Sequence, residues 1–404
     1  MDELDTKTGD STRAAHDPIT RRTFLVASAA IGTGVTSGAE PAFADDEPPP
    51  LAPPDRQPPE LQLPGPPSRK VGYAIVGLGE LALGEVMSAF ALCNKSRPLA
   101  LVSGHPDKAQ RVARAYGIEA RNIYSYENYD RIADNRDIEV VYIILPNSMH
   151  AEYTIRGLKA GKHVLCEKPM ATSVDECNQM IAAAREAQKK LMIAYRLHYE
   201  PFNRRVMQLC REKKYGDIKT ISASNCQDTK APNIRLSRRL GGGPIGDIGI
   251  YCINAARYVT NEEPTEVTAF AHQPQDVPRF REVPESVAFT LKFPSGIVAN
   301  CDCSFAAAES RRYRVHCTEG FIDLDPAFSY RGLQLRVQQG NDFSQVRIME
   351  VNQFASEMDH FSDCVLNNRQ PRTPGEEGLA DMRIVAAIEE AARTGRTIRI
   401  RNRS

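Results

Sequence analysis

The segment VGYAIVGLGELA, residues 71–82, constrains the fold more than any other part of this chain. A strand-like apolar run, Val71–Val76, leads without a break into Gly77-Leu78-Gly79, with Ala82 three residues later. Glycine at such a turn lets the backbone approach a pyrophosphate, and the helix that follows offers unpaired N–H groups and positive potential. A GxGxxA string is weak evidence alone. Here it opens a series in which apolar runs at Leu99–Val102, Glu139–Leu145, His163–Glu167 and Leu191–Tyr195 alternate with helix-like stretches. Continuous apolar runs of this kind suit parallel strands buried on both faces. The expectation for residues 71–196 is an α/β Rossmann domain, a doubly wound parallel sheet that binds a dinucleotide.

After residue 196 the pattern changes. A helix is predicted near Pro201–Glu212 and another over Gly246–Val259, followed by strands at Glu266–Ala271, Ser286–Phe293, Ile297–Cys303, Tyr313–Cys317 and Leu333–Val337. Pro294-Ser295-Gly296 turns one hairpin. Two helices close the chain: one carries the stripe Phe354, Met358, Phe361 and Val365, and the other starts near Thr373-Pro374 and stops at Gly395. Residues 197–404 therefore read as an α+β domain with a large open, mostly antiparallel sheet for substrate binding and oligomerisation. A chain of 404 residues has room for these two cores.

Residues 1–44 have the three parts of an export signal: a polar start with Arg21 and Arg22, an apolar stretch from Phe24, and Ala42-Phe43-Ala44 before Asp45. Thr20-Arg21-Arg22-Thr23-Phe24-Leu25 resembles the bacterial twin-arginine signal, a route for proteins already folded. The apolar part is too diluted by glycine, serine and threonine to act as a stable membrane anchor. Ten of the twenty residues from Pro48 to Pro67 are proline, so residues 45–70 read as an extended arm, either a spacer or a strap over a neighbouring subunit or the cofactor. Fifty-one basic residues balance fifty-one acidic ones, which gives no argument for nucleic acid as a partner. The ten cysteines include no CxxC pair and read mostly as reduced core thiols, with Cys301 and Cys303 on one face of a strand.

Four stretches carry chemistry. A site for NAD normally has Asp or Glu at the end of the second strand, and that carboxylate would repel a 2′-phosphate. This chain has Ser103-Gly104-His105-Pro106-Asp107-Lys108 there, so NADP is expected, with Ser103 and Lys108 near the phosphate; the bland reading of Lys108 is a solvated helix residue. Cys166-Glu167-Lys168-Pro169 ends a strand at the carboxyl edge of the sheet, where a lysine can position a hydroxyl and ease the movement of its proton. In GGGPIGDIGIY, residues 241–251, Asp247 and Tyr251 lie four apart on one helix face, a sugar-binding carboxylate and a proton-transferring phenol. Arg196, His198 and Tyr199 follow the last strand and are candidates for substrate contact. The eight histidines lack ligand spacing, and no metal is expected.

From residue 71 onward the strings GxGxxA, CEKPMATS, LMIAYRLHY, GGGPIGDIGIY, NQF at Asn352–Phe354 and PGEEGLADMR at Pro374–Arg383 resemble the glucose-fructose oxidoreductase / inositol dehydrogenase superfamily. Within it, the twin-arginine signal, the proline-rich arm and the string Ile144–Glu152 are most similar to the periplasmic glucose-fructose oxidoreductases. That resemblance implies a periplasmic enzyme in which tightly bound NADP is reduced by one sugar, oxidised to its lactone at C1, and reoxidised by another. It implies Lys168 and Tyr251 as the proton-handling pair and Asp247 as their substrate-binding partner. Cofactor contacts would come from Gly77, Leu78, Gly79, Ala82, Ser103, Lys108, Pro146, Asn147, His150, Glu167, Lys168 and Arg196. A cis Lys168–Pro169 bond and homodimers or homotetramers packed through the open sheet are also implied.

Glu80, Pro244 and Gly246 depart from the glucose-fructose pattern and leave the acceptor sugar open. Alternatives are a simple NAD(P)-dependent aldose or inositol-type dehydrogenase, a dinucleotide-dependent glycosidase, and a non-catalytic NADP- or sugar-binding protein.

Overall fold

In the computed structural model, which describes residues 69–400, six parallel strands carry the first half of the chain. The export signal, most of the proline-rich arm and residues 401–404 lie outside the described residues. The order along the chain is β1 (Val71–Val76), α1 (Met87–Ala89), β2 (Ser96–Val102), α2 (Pro106–Tyr116), β3 (Ile123–Tyr124), β4 (Val140–Ile143), α3 (His150–Lys159), β5 (His163–Glu167), α4 (Val174–Glu186) and β6 (Leu191–Ala194). In space the strands run β3-β2-β1-β4-β5-β6, so the order reverses beside β1. Ligands of doubly wound sheets bind in the crevice beyond the carboxyl ends of the strands at that reversal.

Local sequence explains the elements. All six residues of β1 and all four of β4 are buried, because helices cover both faces of the sheet. Proline starts α2 at a position that needs no N–H donor, and Gly117 ends it in the left-handed conformation. Ser173 caps α4 by accepting the Glu176 N–H. The glycine loop continues into a π turn, Ala82–Val86, before α1.

The second half begins with α5 (Pro201–Arg211), β7 (Ile218–Asp228) and α6 (Ile250–Thr260), the last entered through a π turn at Ile245–Gly249. It continues through β8 (Glu266–His272), β9 (Ser286–Lys292), β10 (Val298–Ser304), β11 (Ala306–Cys317), β12 (Gly320–Leu324), β13 (Leu335–Gln339) and β14 (Asp342–Val346). The chain closes with α7 (Gln353–Leu366), α8 (Gly375–Thr394) and β15 (Ile398–Arg399). The nine strands lie in the order β14-β13-β12-β11-β7-β10-β9-β8-β15. All neighbouring pairs are antiparallel except β7 and β10, which run parallel.

One face of this sheet packs on the helices through residues such as Phe289, Leu291, Cys301, Cys303 and Val315. The other face carries Ser222, Thr268, Phe270, Thr290, Asn300, Asp302 and Arg312 toward solvent. β7, the middle strand, was not expected from sequence. ISASNCQD has no run of large apolar side chains, and its inward positions are filled by Ala223 and Asn225.

Helix α7 belongs by sequence to the second half, yet its stripe packs on the first sheet. Phe354, Met358, Phe361 and Cys364 share a core with Tyr73, Ile75 and Leu101. The Tyr73 hydroxyl donates to the Met358 carbonyl at 2.9 Å, and Asp359 accepts the Asn94 and Lys95 N–H groups at 2.6 and 2.8 Å. Truncating fully buried Phe361 to alanine would cost about 3–5 kcal/mol. α7 therefore ties the two sheets together and fixes the cleft between them.

Candidate active site

Beyond the carboxyl ends of β1, β4 and β5 lies a cleft of about 1100 Å³. Its floor is the glycine loop. Gly77 has φ +96°, and a Cβ there would stand 2.2 Å from the Ile144 carbonyl oxygen, so only glycine lets β1 turn so close to β4. A Cβ at Gly79 would meet nothing within 4 Å, which leaves that side of the loop open to the cleft. Ala82, grouped with this loop by sequence, does not line the cleft. It is fully buried, and its small side chain serves the packing of helix on sheet.

At the end of β2 no carboxylate is present. Ser103 Oγ accepts the His105 N–H at 3.1 Å, and Lys108 reaches back so that its Nζ donates to the Leu78 carbonyl at 3.4 Å. An ammonium over the glycine loop, an open loop surface and a strand end without Asp or Glu together fit a dinucleotide that carries an extra phosphate.

Lys168, Asp247 and Tyr251 meet at the substrate side of the cleft, although 79 residues separate the first two. The Lys168–Pro169 peptide is cis. Lys168 Nζ donates to the Asp247 main-chain carbonyl at 2.7 Å, lies 3.4 Å from Asp247 Oδ1, and sits 4.8 Å from the centre of the Tyr251 ring. Burial works against charge on Lys168, but Tyr251, Asp247 and Glu167 outweigh it and hold the ammonium pKa above its ordinary value. Burial likewise opposes charge on Asp247, and Lys168 with Arg235 overcomes it, so the carboxyl lies below its usual range.

The π turn matters here. Such turns recur at functional sites, and this one carries Asp247 while Tyr251 stands on the first turn of α6.

The other expected residues fall into two groups. Pro146, Asn147, His150, Glu167 and Arg196 all line the cleft, but their polar atoms are largely engaged within the protein. Asn147 Nδ2 donates to the Gly241 carbonyl at 2.8 Å. The ring nitrogens of His150 face the carbonyl oxygens of Pro169 and Leu145 at 2.8 and 2.9 Å. Glu167 accepts from the Tyr142 hydroxyl at 2.8 Å and from the Lys168 N–H at 3.2 Å.

Arg196 donates to the Phe328 and Ser329 carbonyls and to Gln353 Oε1, and its Nε donates to the Tyr251 hydroxyl oxygen at 3.3 Å. It and Lys168 both lie within 5 Å of the centre of the Tyr251 ring.

His198 and Tyr199 do not reach the cleft. The chain turns inward after β6, so His198 bonds the Asn254 carboxamide at 3.1 Å and Tyr199 meets the Thr373 hydroxyl at 3.3 Å inside the core.

Sequence reasoning missed Arg235, which reaches the cleft from residues 229–243. Its Nε donates to Asp247 Oδ2 at 2.7 Å, so Asp247 is held between two cations. Its neighbourhood, NIRLSRRL, shows no periodic or motif signal that separates one arginine from the others. Opposite it, Arg331 pairs with Glu85 at 3.0 Å, a second link between the halves of the protein. Among the described residues, no cluster of three His, Cys, Asp or Glu could hold a metal ion, and no helix is long and apolar enough to cross a membrane.

A glycine loop at a sheet reversal, facing a buried lysine and a tyrosine, defines a dinucleotide-dependent oxidoreductase site. Residues 71–195 match the model of the oxidoreductase family with an NAD-binding Rossmann fold, and residues 203–323 match the GFO/IDH/MocA C-terminal domain. The chain belongs to the GFO/IDH/MocA family of oxidoreductases.

Among its relatives is a D-xylose 1-dehydrogenase [NADP(+)] of Haloarcula marismortui, 30% identical over 82% of this chain and 93% of the relative. Among solved structures, the aldose-aldose oxidoreductase from Caulobacter crescentus, complexed with glycerol, is 44% identical with a TM-score of 0.80, covering 82% of this chain and all of that one. A 3-ketoreductase from Actinomadura kijaniata, solved with NADP and TDP-benzene, is 25% identical with a TM-score of 0.73, covering 80% of this chain and 98% of that one.

Proposed function

We propose that this protein is a sugar oxidoreductase that oxidises an aldose at C1 to a lactone with NADP and passes the hydride to a second sugar before the cofactor leaves. The observation that carries the reading is the meeting of Lys168, Asp247 and Tyr251 across the cleft from the glycine loop. Its likeness to an aldose-aldose oxidoreductase and to an NADP-dependent xylose dehydrogenase supports the substrate class and the cofactor. NADP, bound along Gly77–Gly79 with its extra phosphate near Ser103 and Lys108, supplies the hydride acceptor.

The protein's own residues handle the proton. Lys168 binds the C1 hydroxyl oxygen through the ammonium proton not used on Asp247. Tyr251 Oη takes the hydroxyl proton, and the nearby Lys168 and Arg196 stabilise negative charge on that oxygen. The second sugar receives the proton back from Tyr251 by the reverse path.

Export by the twin-arginine route to the periplasm belongs to the same reading. A folded protein that carries its cofactor and regenerates it within each cycle needs no outside supply of dinucleotide. A homodimer or homotetramer joined through the open face of the nine-stranded sheet completes it.

Denaturing the purified protein and identifying the released nucleotide, then assaying pairs of sugars without added cofactor, tests the proposal. Near-stoichiometric NADP(H) and turnover of sugar pairs are expected. Protein free of nucleotide, active only with added NADP, would establish the simple dehydrogenase instead.

A further inference from the structure

We infer that Arg235 is a substrate-binding residue that recognises a sugar hydroxyl near the reacting carbon and so helps to set which aldoses are accepted. The inference rests on the sugar oxidoreductase reading above.

Asp247 is the carboxylate expected to bind sugar hydroxyls, yet both of its oxygens have partners. Oδ2 takes the Arg235 Nε–H at 2.7 Å, and Oδ1 faces Lys168 Nζ at 3.4 Å. The carboxyl lies below its usual range, held there by Lys168 and Arg235 against burial, and its two cation contacts take up part of its capacity to accept from a sugar. Its main role is to place two cations side by side on the cleft wall.

One of them, Lys168, serves the reacting oxygen. The other has bonding capacity to spare. A guanidinium carries five N–H donors, and Arg235 uses the one on Nε, while its two terminal nitrogens bond to none of the described residues. Arg235 lines the cleft with a side chain 39% exposed, fixed at its Nε by an ion pair to the part-buried Asp247. A planar fork so anchored presents donors in a set direction, which suits one or two acceptor oxygens on adjacent carbons.

Because Arg235 and Lys168 face the two oxygens of one carboxylate, a sugar whose O1 is on Lys168 would turn the hydroxyl of a neighbouring carbon toward Arg235. Recognition by a fixed donor in the cleft disfavours an analogue that lacks the oxygen, since the donor then loses its partner.

The test pairs Arg235 variants with deoxy sugars. Wild-type enzyme is expected to favour an aldose over its 2-deoxy or 3-deoxy analogue by at least about tenfold in kcat/KM. In Arg235→Ala that preference should fall to about twofold at one of these positions, with the other unchanged. Arg235→Lys keeps a cation beside Asp247 but loses the fork. It should retain most of the wild-type kcat with the parent aldose while its KM rises and its preference weakens.

Loss of activity in Arg235→Ala that is equal for parent and deoxy sugars would overturn the inference, because Arg235 would then act only through Asp247. A changed affinity for NADP with unchanged sugar preference would also overturn it. Failure of the wild type to act on any aldose would bring down the underlying function instead.

Discussion

Tyr251 is the residue on which the proposed chemistry converges. Its ring lies near both the Lys168 ammonium and the Arg196 guanidinium, and in the proposed reaction its hydroxyl takes and returns the proton. Tyr251→Phe keeps the ring beside the cations and removes only the oxygen. The variant should bind nucleotide as before and lose about 10²–10⁴ of kcat, which single-turnover reduction of bound nucleotide by an aldose would measure. A loss below tenfold would move the proton transfer to Lys168.

Lys168, Asp247 and Tyr251 were legible because each sits in a motif at the end of a strand or the start of a helix. Arg235 was not. Its role depends on residues 229–243 folding back over the cleft, and nothing local in the sequence records that.

Among the elements, α7 shows how far a helix can act from its place in the sequence. Its apolar stripe was readable, and the sheet on which it packs was not. The helix also buries Glu357, whose two carboxyl oxygens have no hydrogen-bond partner among the described residues. Burial, with the nearby Glu167, pushes its pKa well above the ordinary range, and Arg196 only partly offsets this.

The native protein therefore holds Glu357 protonated. The resulting stability is complete below the unfolded value, about pH 4.3, and is lost as the pH rises toward the raised native value. Glu357→Gln keeps the shape and removes that dependence. In urea unfolding it should match the wild type closely near pH 4.5 and exceed it by about 1–3 kcal/mol near pH 7.5. An equal difference at both pH values would mean that the carboxyl is ionised in the folded state.

The strands were legible in proportion to their burial. β1 and β5 were read to the residue because every position but one is buried, whereas β7 was hidden by small and polar side chains that a central strand tolerates when helices and neighbouring strands complete its packing.

For the whole molecule, the proposed assembly through the open sheet makes a simple demand. Phe270, 78% exposed, stands on that face among small polar side chains. Phe270→Glu would place a charge in a self-complementary interface and should reduce the sedimenting mass to that of a smaller species, leaving the fold intact by circular dichroism. An unchanged mass would place the interface elsewhere.

The cysteines carry a different consequence. All ten are unpaired thiols, nine of them buried and Cys317 partly so. A chain threaded unfolded into an oxidising compartment would expose every one of them, and ten thiols can be joined in well over ~100 wrong combinations. Enclosed within a finished core before crossing, nine of them are shielded from an oxidant and Cys317 is partly so. In the proposed route the fold thus acts as its own reducing environment, one that the protein carries with it to the far side of the membrane.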